Sequence, residues 1–385
     1  MHTEPGNPQA APDPARPRLD RRTLFAAGAA LAAGAGAATV LARDTRPAPA
    51  TAAPPPPAAV PFHGARQSAL THPQLPATRL LALDLPADAD RGALRVLLAG
   101  LSDVLARTAD GTLGDTRLTG TPPVTSLVAV GAALAGRLAL PAPDTLAELP
   151  AFTGDRLEPA RSGGDLLVQV CAEQPWTTGI LTEHLVAAAH TAGAAVRWHQ
   201  AGFLPPVPDG QTPRNLFGFK DGTANPDPAD PALWHQDGTL LVYRRIRMDT
   251  AAFAALPTDR QELAMGRRAT SGAPLTGTAE HDDPDIYAKH PDGSYLIPAT
   301  AHVRLTSPRL DGGTRMLRRG YSYDDTPTDR GLLFCAFLRD PALFTRVQSR
   351  LADHDALTPY LTHTASAVAW VLPGAKPGEP LGAGL

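Results

Sequence analysis

The chain has 385 residues, with 35 Lys and Arg against 38 Asp and Glu, for a formal net charge of −3. That balance, with no Lys/Arg run interleaved with aromatics, leaves no basic face for nucleic acid or an anionic membrane surface. The two cysteines, Cys171 and Cys335, are too few for a disulfide-stapled scaffold. Both lie in apolar, strand-like runs and read as buried small hydrophobes.

The first elements in the chain concern export. Asp20-Arg21-Arg22-Thr23-Leu24-Phe25 opens an uncharged stretch of 18 residues, Leu24 to Leu41, rich in Ala and Gly. Paired arginines before a weakly apolar segment resemble a twin-arginine export signal. A membrane anchor is the competing reading, because 18 apolar residues approach the length of a span. Ala and Gly contribute little transfer energy, however, and Val40-Leu41-Ala42 offers a small-residue cleavage site, so a cleaved signal over residues 1–42 is the expectation. The destination would be extracellular, cell-envelope or periplasmic. Proteins using that route leave the cytoplasm folded, often with a cofactor inserted. With four Arg and three acids in this leader, the remainder carries 31 basic and 35 acidic residues. Residues 43–62 form a Pro/Ala-rich tether that includes Pro54 to Pro57, too stiff and too poor in large apolar groups to join a core.

Strands and helices then alternate. The patterning predicts a strand at Arg79–Leu85, a helix at Arg91–Leu105 through Leu94, Leu97, Leu98, Leu101 and Leu105, and strands at Ser126–Val130 and Asp165–Ala172. An Ala-rich helix at Thr177–Ala192 and a strand at Ala195–Phe203 complete the set. The order recurs downstream, with strands at Gly238–Met248, Ala301–Leu305, Leu332–Leu338 and His363–Leu372. The helices of this second set are Thr250–Leu256 and Pro341–Leu351, the latter with Pro at its first position. Two βαββαβ units imply an α+β fold of two ferredoxin-like halves, residues 63–205 and 206–385, each an antiparallel sheet backed by helices. A Pro-rich stretch, Leu204 to Pro213, separates them, and a cofactor cleft is expected where such units meet.

Directly after that boundary comes Asn215-Leu-Phe-Gly-Phe-Lys-Asp-Gly-Thr-Ala-Asn-Pro226. Asp-Gly pairs occur six times in the chain, and most are surface turns. Asp221 differs because Leu216, Phe217 and Phe219 adjoin it and Gly218 and Gly222 let the backbone turn tightly on both sides. This suggests a carboxylate held against apolar surface, where its geometry can be used. Farther on lie Ala301-His302-Val303-Arg304-Leu305 and Met316-Leu317-Arg318-Arg319-Gly320-Tyr321-Ser322-Tyr323.

These three motifs, in this order and approximate spacing, resemble the dye-decolourising peroxidase family of haem enzymes. Within it the chain most resembles the exported bacterial branch, which includes the peroxidases also called deferrochelatases. The resemblance runs from about Arg79 to Pro373. It implies one haem b per chain, in the cleft of the second half, with His302 as the proximal ligand to iron. Asp221 and Arg318 would be the distal catalytic pair, with Phe219, Gly222, Arg319, Leu332 and Phe334 around the cofactor. A carboxylate above the iron could carry a proton from one peroxide oxygen to the other, and an arginine keeps its charge beside it. The implied reaction reduces hydrogen peroxide and oxidises dyes, phenols or other bulky reductants one electron at a time. Beyond these substrates the implied partner is the twin-arginine export machinery, and a homo-oligomer stays open.

Blander readings compete at several positions. Arg319 could face a haem propionate or solvent, and Leu332 and Phe334 could line the pocket or simply pack. His281 with Asp282, Asp283 and Asp285 reads better as a solvated acidic turn than as a metal loop. Trp176, Trp198, Trp234, Trp370, Tyr321 and Tyr323 could relay oxidising equivalents, though core packing explains most of them. A haem-handling protein that releases iron is the alternative function. A related haem enzyme acting on another small oxidant would keep the arginine without Asp221.

Overall fold

The computed structural model describes residues 59–118, 120–208 and 211–385, so the leader and most of the tether lie outside the described residues. A helical turn α1 (Ser68–Thr71) leads to β1 (Ala77–Asp84), α2 (Arg91–Ala109), β2 (Val124–Gly131), α3 (Ala132–Arg137), β3 (Leu166–Ala172), α4 (Pro175–Thr191) and β4 (Ala195–Phe203). Helix α2 starts where Asp90 accepts a hydrogen bond from Ala93 N at 2.9 Å. It buries the predicted stripe of Leu94, Leu97, Leu98, Leu101 and Leu105. With Leu181 and Leu185 of α4, that stripe covers one face of the sheet. Strands β2 and β3 are buried along their whole length because their other face looks into a closed interior.

The second set comprises β5 (Thr239–Met248), α5 (Thr250–Ala254), α6 (Thr258–Met265), α7 (His302–Leu305), β6 (Leu317–Arg318), β7 (Tyr321–Thr326), β8 (Asp329–Leu338), α8 (Ala342–His354) and β9 (Leu361–Val371). The internal repetition shows in the pairing: β1 lies between β3 and β4, as β5 lies between β8 and β9, all antiparallel. One expectation is corrected here. Ala301–Leu305 alternates like a strand but is the helical turn α7, closed by Leu305 N to Ala301 O at 3.1 Å and Thr306 N to His302 O at 3.0 Å. Five residues are too few for period alone to separate strand from helix. The strand preceding β8 is instead β7, in the Arg-Gly-Tyr-Ser-Tyr motif.

The two sets do not form separate sheets facing each other across a cleft. β2 pairs with β9 and β4 with β7, and β5–β8 pairing closes the whole into one antiparallel sheet of nine strands among the described residues. The described residues from 59 onward accordingly form one unit. At the β4–β7 seam, a Cβ on Gly202 would lie 2.8–2.9 Å from Leu333, Thr78 and Tyr321, so only glycine permits the closure. Inside, large side chains such as Trp198, Tyr243 and Phe337 oppose the small Ala365, Ala367 and Ala369. Trp198 and Tyr243 stack with centroids 5.2 Å apart. Arg245, 1% exposed, closes one end on Asp325, Asp329, Gln200 and Thr364. The site lies on the other face of the second set, between the sheet and α8.

Candidate active site

Alternation along β8 turns Leu333, Cys335 and Phe337 inward and leaves Leu332 and Phe334 on the opposite face, lining a cavity of about 500 Å³. Ile246 of β5 and His363 of β9 extend that wall. The facing wall is α8, through Phe344, Val347 and Leu351, with α7 packed beside it. The loop 211–225 completes the enclosure.

Two histidines line this cavity, and their partners give them opposite characters. His302 Nδ1 lies 2.6 Å from Asp355 Oδ2, and Asp355 is 2% exposed in its side chain. The other Asp355 oxygen accepts from Leu357 N at 2.9 Å, which sets the carboxylate just past the end of α8. Burial lowers the affinity of His302 for a proton, but the Asp355 charge and hydrogen bond outweigh it, so the ring is raised above its ordinary value. His363 is the reverse case. Its Nδ1 accepts from Arg244 Nε at 3.1 Å, and burial, then the Arg244 charge, push it down to about 3. A carboxylate behind the ring makes Nε2 a better electron donor, and a guanidinium makes it a worse one. Of the two, His302 has the character of a metal ligand.

Against the sheet wall stand Asp221 and Arg318. Arg318 Nη1 is 3.7 Å from Asp221 Oδ1, an ion pair longer than a hydrogen bond, and both side chains keep part of their surface open, 29% and 37%. Asn225 joins their backbones: its Oδ1 accepts from Arg318 N at 3.0 Å and its Nδ2 donates to Arg318 O at 2.7 Å. Gly218 and Gly222 have φ of +84° and +118°, as the tight turn on each side of the acid requires. His302, Asp221 and Arg318 all line the same space. One cavity therefore brings together all three sequence-predicted residues.

Two other assignments are corrected. Phe219 is 1% exposed and packs edge-on against Phe253 at 6.2 Å; it anchors the loop from behind and does not line the cavity. Phe217 does line it, stacked on Phe253 at 4.2 Å. Arg319 points to the other side of the chain from Arg318. It donates to Ala69 O at 2.9 Å, His72 O at 2.6 Å and Leu70 O at 3.2 Å, capping the C-terminal carbonyls of α1. Gly222, Leu332 and Phe334 do line the cavity. The acidic turn is the solvated one: Asp282 accepts from Thr278 N and Ala279 N, and Asp285 from Tyr287 N.

Sequence reasoning missed Asp355, Asn225, Arg267 and Glu280. Asn225 stands inside the quoted motif, four residues after Asp221, but nothing local marks it as a clamp on a strand far downstream. Arg267 is 5% exposed, lines the cavity and donates to Gly272 O at 2.7 Å and Glu280 O at 2.9 Å. Glu280 holds Lys220 and Thr212 N. Burial alone would raise its carboxyl, yet the hydrogen bonds from Lys220 and Thr212 bring it down to about 2. A folded value below the usual 4.5 means that this group adds stability in full above pH 4.5, lost as pH falls toward 2.

No group of three or more His, Cys, Asp or Glu could hold a bare metal ion among the described residues. A metal at His302 must therefore bring most of its own ligands. A planar tetrapyrrole would do so: His302 Nε2 would hold its metal, and the walls formed by Leu332, Phe334 and α8 are apolar enough to receive it. The residues present fit such a group.

The chain is similar to known proteins over most of its described length. Residues 67–204 match the family model described as Dyp-type peroxidase, N-terminal, and residues 212–376 match Dyp-type peroxidase, C-terminal. The chain is 45% identical over 267 residues to a dye-decolorizing peroxidase of Thermobifida fusca, an alignment covering 62% of this chain and 61% of that protein. It is 32% identical to a deferrochelatase of Escherichia coli (strain K12), over 92% of this chain and 94% of the relative. Among solved structures, a DyP-type peroxidase from Cellulomonas bogoriensis superposes with a TM-score of 0.80 at 37% identity, covering 86% of this chain and 98% of that one.

Proposed function

We propose a function from one premise: the chain belongs to the Dyp-type peroxidase family. It is a haem b peroxidase that reduces hydrogen peroxide and oxidises dyes, phenols or other bulky reductants in one-electron steps. Bound haem supplies the iron at which peroxide takes up two electrons. The chain supplies ligand, proton handling and a dry wall. His302 Nε2 would hold the iron, with Asp355 fixing the ring and its basicity. The Asp221 carboxylate would accept the proton of the nearer peroxide oxygen and deliver it to the farther one, which leaves as water. Arg318 would stabilise negative charge on the departing oxygen without competing for the proton. Leu332 and Phe334 would keep bulk water from that path.

The observation that carries this reading is the pairing of a carboxylate-backed imidazole with a carboxylate–guanidinium pair in one cavity. The deferrochelatase relatives support a second reading, in which haem is bound and its iron released. A carrier of that kind needs His302 but neither Asp221 nor Arg318. Visible spectroscopy of purified protein decides between them. The expected result is an intense haem band that changes within seconds of adding peroxide and returns when a dye is supplied and consumed. Loss of iron to leave free porphyrin, with no dye consumed, would favour the second reading.

We also read each half, 63–205 and 206–385, as a ferredoxin-like unit, with haem in the cleft of the second. Residues 1–42 are proposed as a twin-arginine signal and 43–62 as a tether, delivering the protein folded outside the cytoplasm. Replacing Arg21 and Arg22 together by Lys is expected to trap the full-length chain inside the cell. Unchanged export of that variant would rule out the twin-arginine route.

A further inference from the structure

Asp221 is not held by its own carboxylate. Among the described residues its nearest charged partner is Arg318, at 3.7 Å, beyond hydrogen-bond reach. A proton carrier needs that freedom, because a carboxylate saturated by donors is a poor base. Its placement must then come from the backbone that bears it. Asp221 N donates to Pro213 O at 2.9 Å, and Arg214 bridges to Lys220 across the loop. Arg214 also donates to Gly218 O and Ala269 O, both at 2.6 Å, and to Thr270 O at 2.7 Å.

The residue before Asp221 completes the attachment. Lys220 is 9% exposed in its side chain and pairs with Glu280, itself 13% exposed. The second Glu280 oxygen accepts from Thr212 N at 3.0 Å, at the start of the same loop. One carboxylate thus grips both ends of the segment 212–220 that leads directly into Asp221. The lysine stem reaches Glu280 across Gly272, whose φ is +77°; a Cβ there would sit 2.7 Å from Lys220 Cδ. Beneath, Arg267 ties Gly272 O to Glu280 O. A mostly covered pair of this kind gives up hydration on both charges, and what it fixes in return is the geometry of the loop. It also accounts for the lysine of the Gly-Phe-Lys-Asp-Gly motif, which plays no part in the chemistry above.

We infer that the Lys220–Glu280 pair is a clasp that positions Asp221 for proton transfer. Both are positioning residues acting through Asp221: Glu280 stands behind the cavity wall, and Lys220, which lines the cavity, turns its ammonium onto Glu280. The inference rests on the proposed role of Asp221. Glu280→Gln keeps shape and the acceptor for Thr212 while removing the ionic grip. Lys220→Met with Glu280→Gln removes both charges, so no lone buried charge remains to unfold the loop. Each variant, loaded with haem, is mixed with peroxide in a stopped-flow instrument, in the wild-type and Asp221→Asn backgrounds.

Both variants are expected to slow the peroxide reaction about tenfold, less than the roughly 10²–10⁴-fold of a lost acid–base group because the carboxylate remains, with haem content and ferric spectrum unchanged. In the Asp221→Asn background the same changes are expected to have no further effect. An equal slowing with and without the aspartate would show that the clasp acts elsewhere and overturns the inference. So would a wild-type rate in Glu280→Gln and in the double variant. If Asp221→Asn itself reacts at the wild-type rate, the failure lies in the role given to Asp221, not in the clasp.

Discussion

Purified His302→Ala protein is expected to lack the haem band, and to gain no thermal stability when haem is added. The argument begins with the donor set. Among the described residues that line the cavity, the imidazoles are those of His302 and His363, and only His302 is backed by a carboxylate. His363 is held down near 3 by burial and by Arg244. It makes a weak electron donor and is a poor substitute. A ligand that binds the folded chain alone stabilises it by about 2.7 kcal/mol at a hundred times its dissociation constant. Wild-type protein should therefore melt higher with haem, and His302→Ala should not. Asp355→Asn provides the graded case. The ring would stay in place through a weaker bond, so haem affinity or activity should fall by about 10–100-fold. A fully retained, five-coordinate ferric spectrum in His302→Ala would sink the ligand assignment.

What the sequence made legible was short-range and periodic. Helix α2 was readable because Leu94 to Leu105 repeats every three or four residues. Asp221 stood out because apolar neighbours and two glycines flank it. The reason given for those neighbours was only partly right: Phe219 fastens the loop to Phe253 rather than walling the carboxylate. Two kinds of information stayed hidden. One was the closure of the sheet, which depends on contacts such as Phe203 with Ser322 that no local pattern encodes. The other was the set of long-range polar partners. Asp355 is 53 positions from His302 and Glu280 is 60 from Lys220. Each is one acid among many until folding selects it. The fate of Arg319 illustrates the same limit: a haem propionate and solvent were both open to it, and only the fold shows α1 waiting there.

Asp221→Asn is expected to slow the reaction with peroxide by about 10²–10⁴-fold, the usual worth of acid–base help. Hydrogen peroxide carries a proton on each oxygen, and cleavage between them requires the nearer oxygen to lose one and the farther to gain one. Asparagine matches aspartate in size and keeps the loop geometry, but its amide cannot accept that proton. Arg318→Leu removes a different contribution, the positive charge beside the departing oxygen, and a loss of about 10²–10³ is expected. The two groups are 3.7 Å apart and serve one transfer, so their effects should not add. The double variant is expected to be little slower than the worse single one. Rapid mixing of ferric protein with peroxide measures all three, and haem content measured alongside separates lost chemistry from lost cofactor. If Asp221→Asn keeps the wild-type rate while Arg318→Leu does not, charge alone carries the step and water moves the proton. The free carboxylate would then have no role in the reaction, which is why this variant is the sharper of the two.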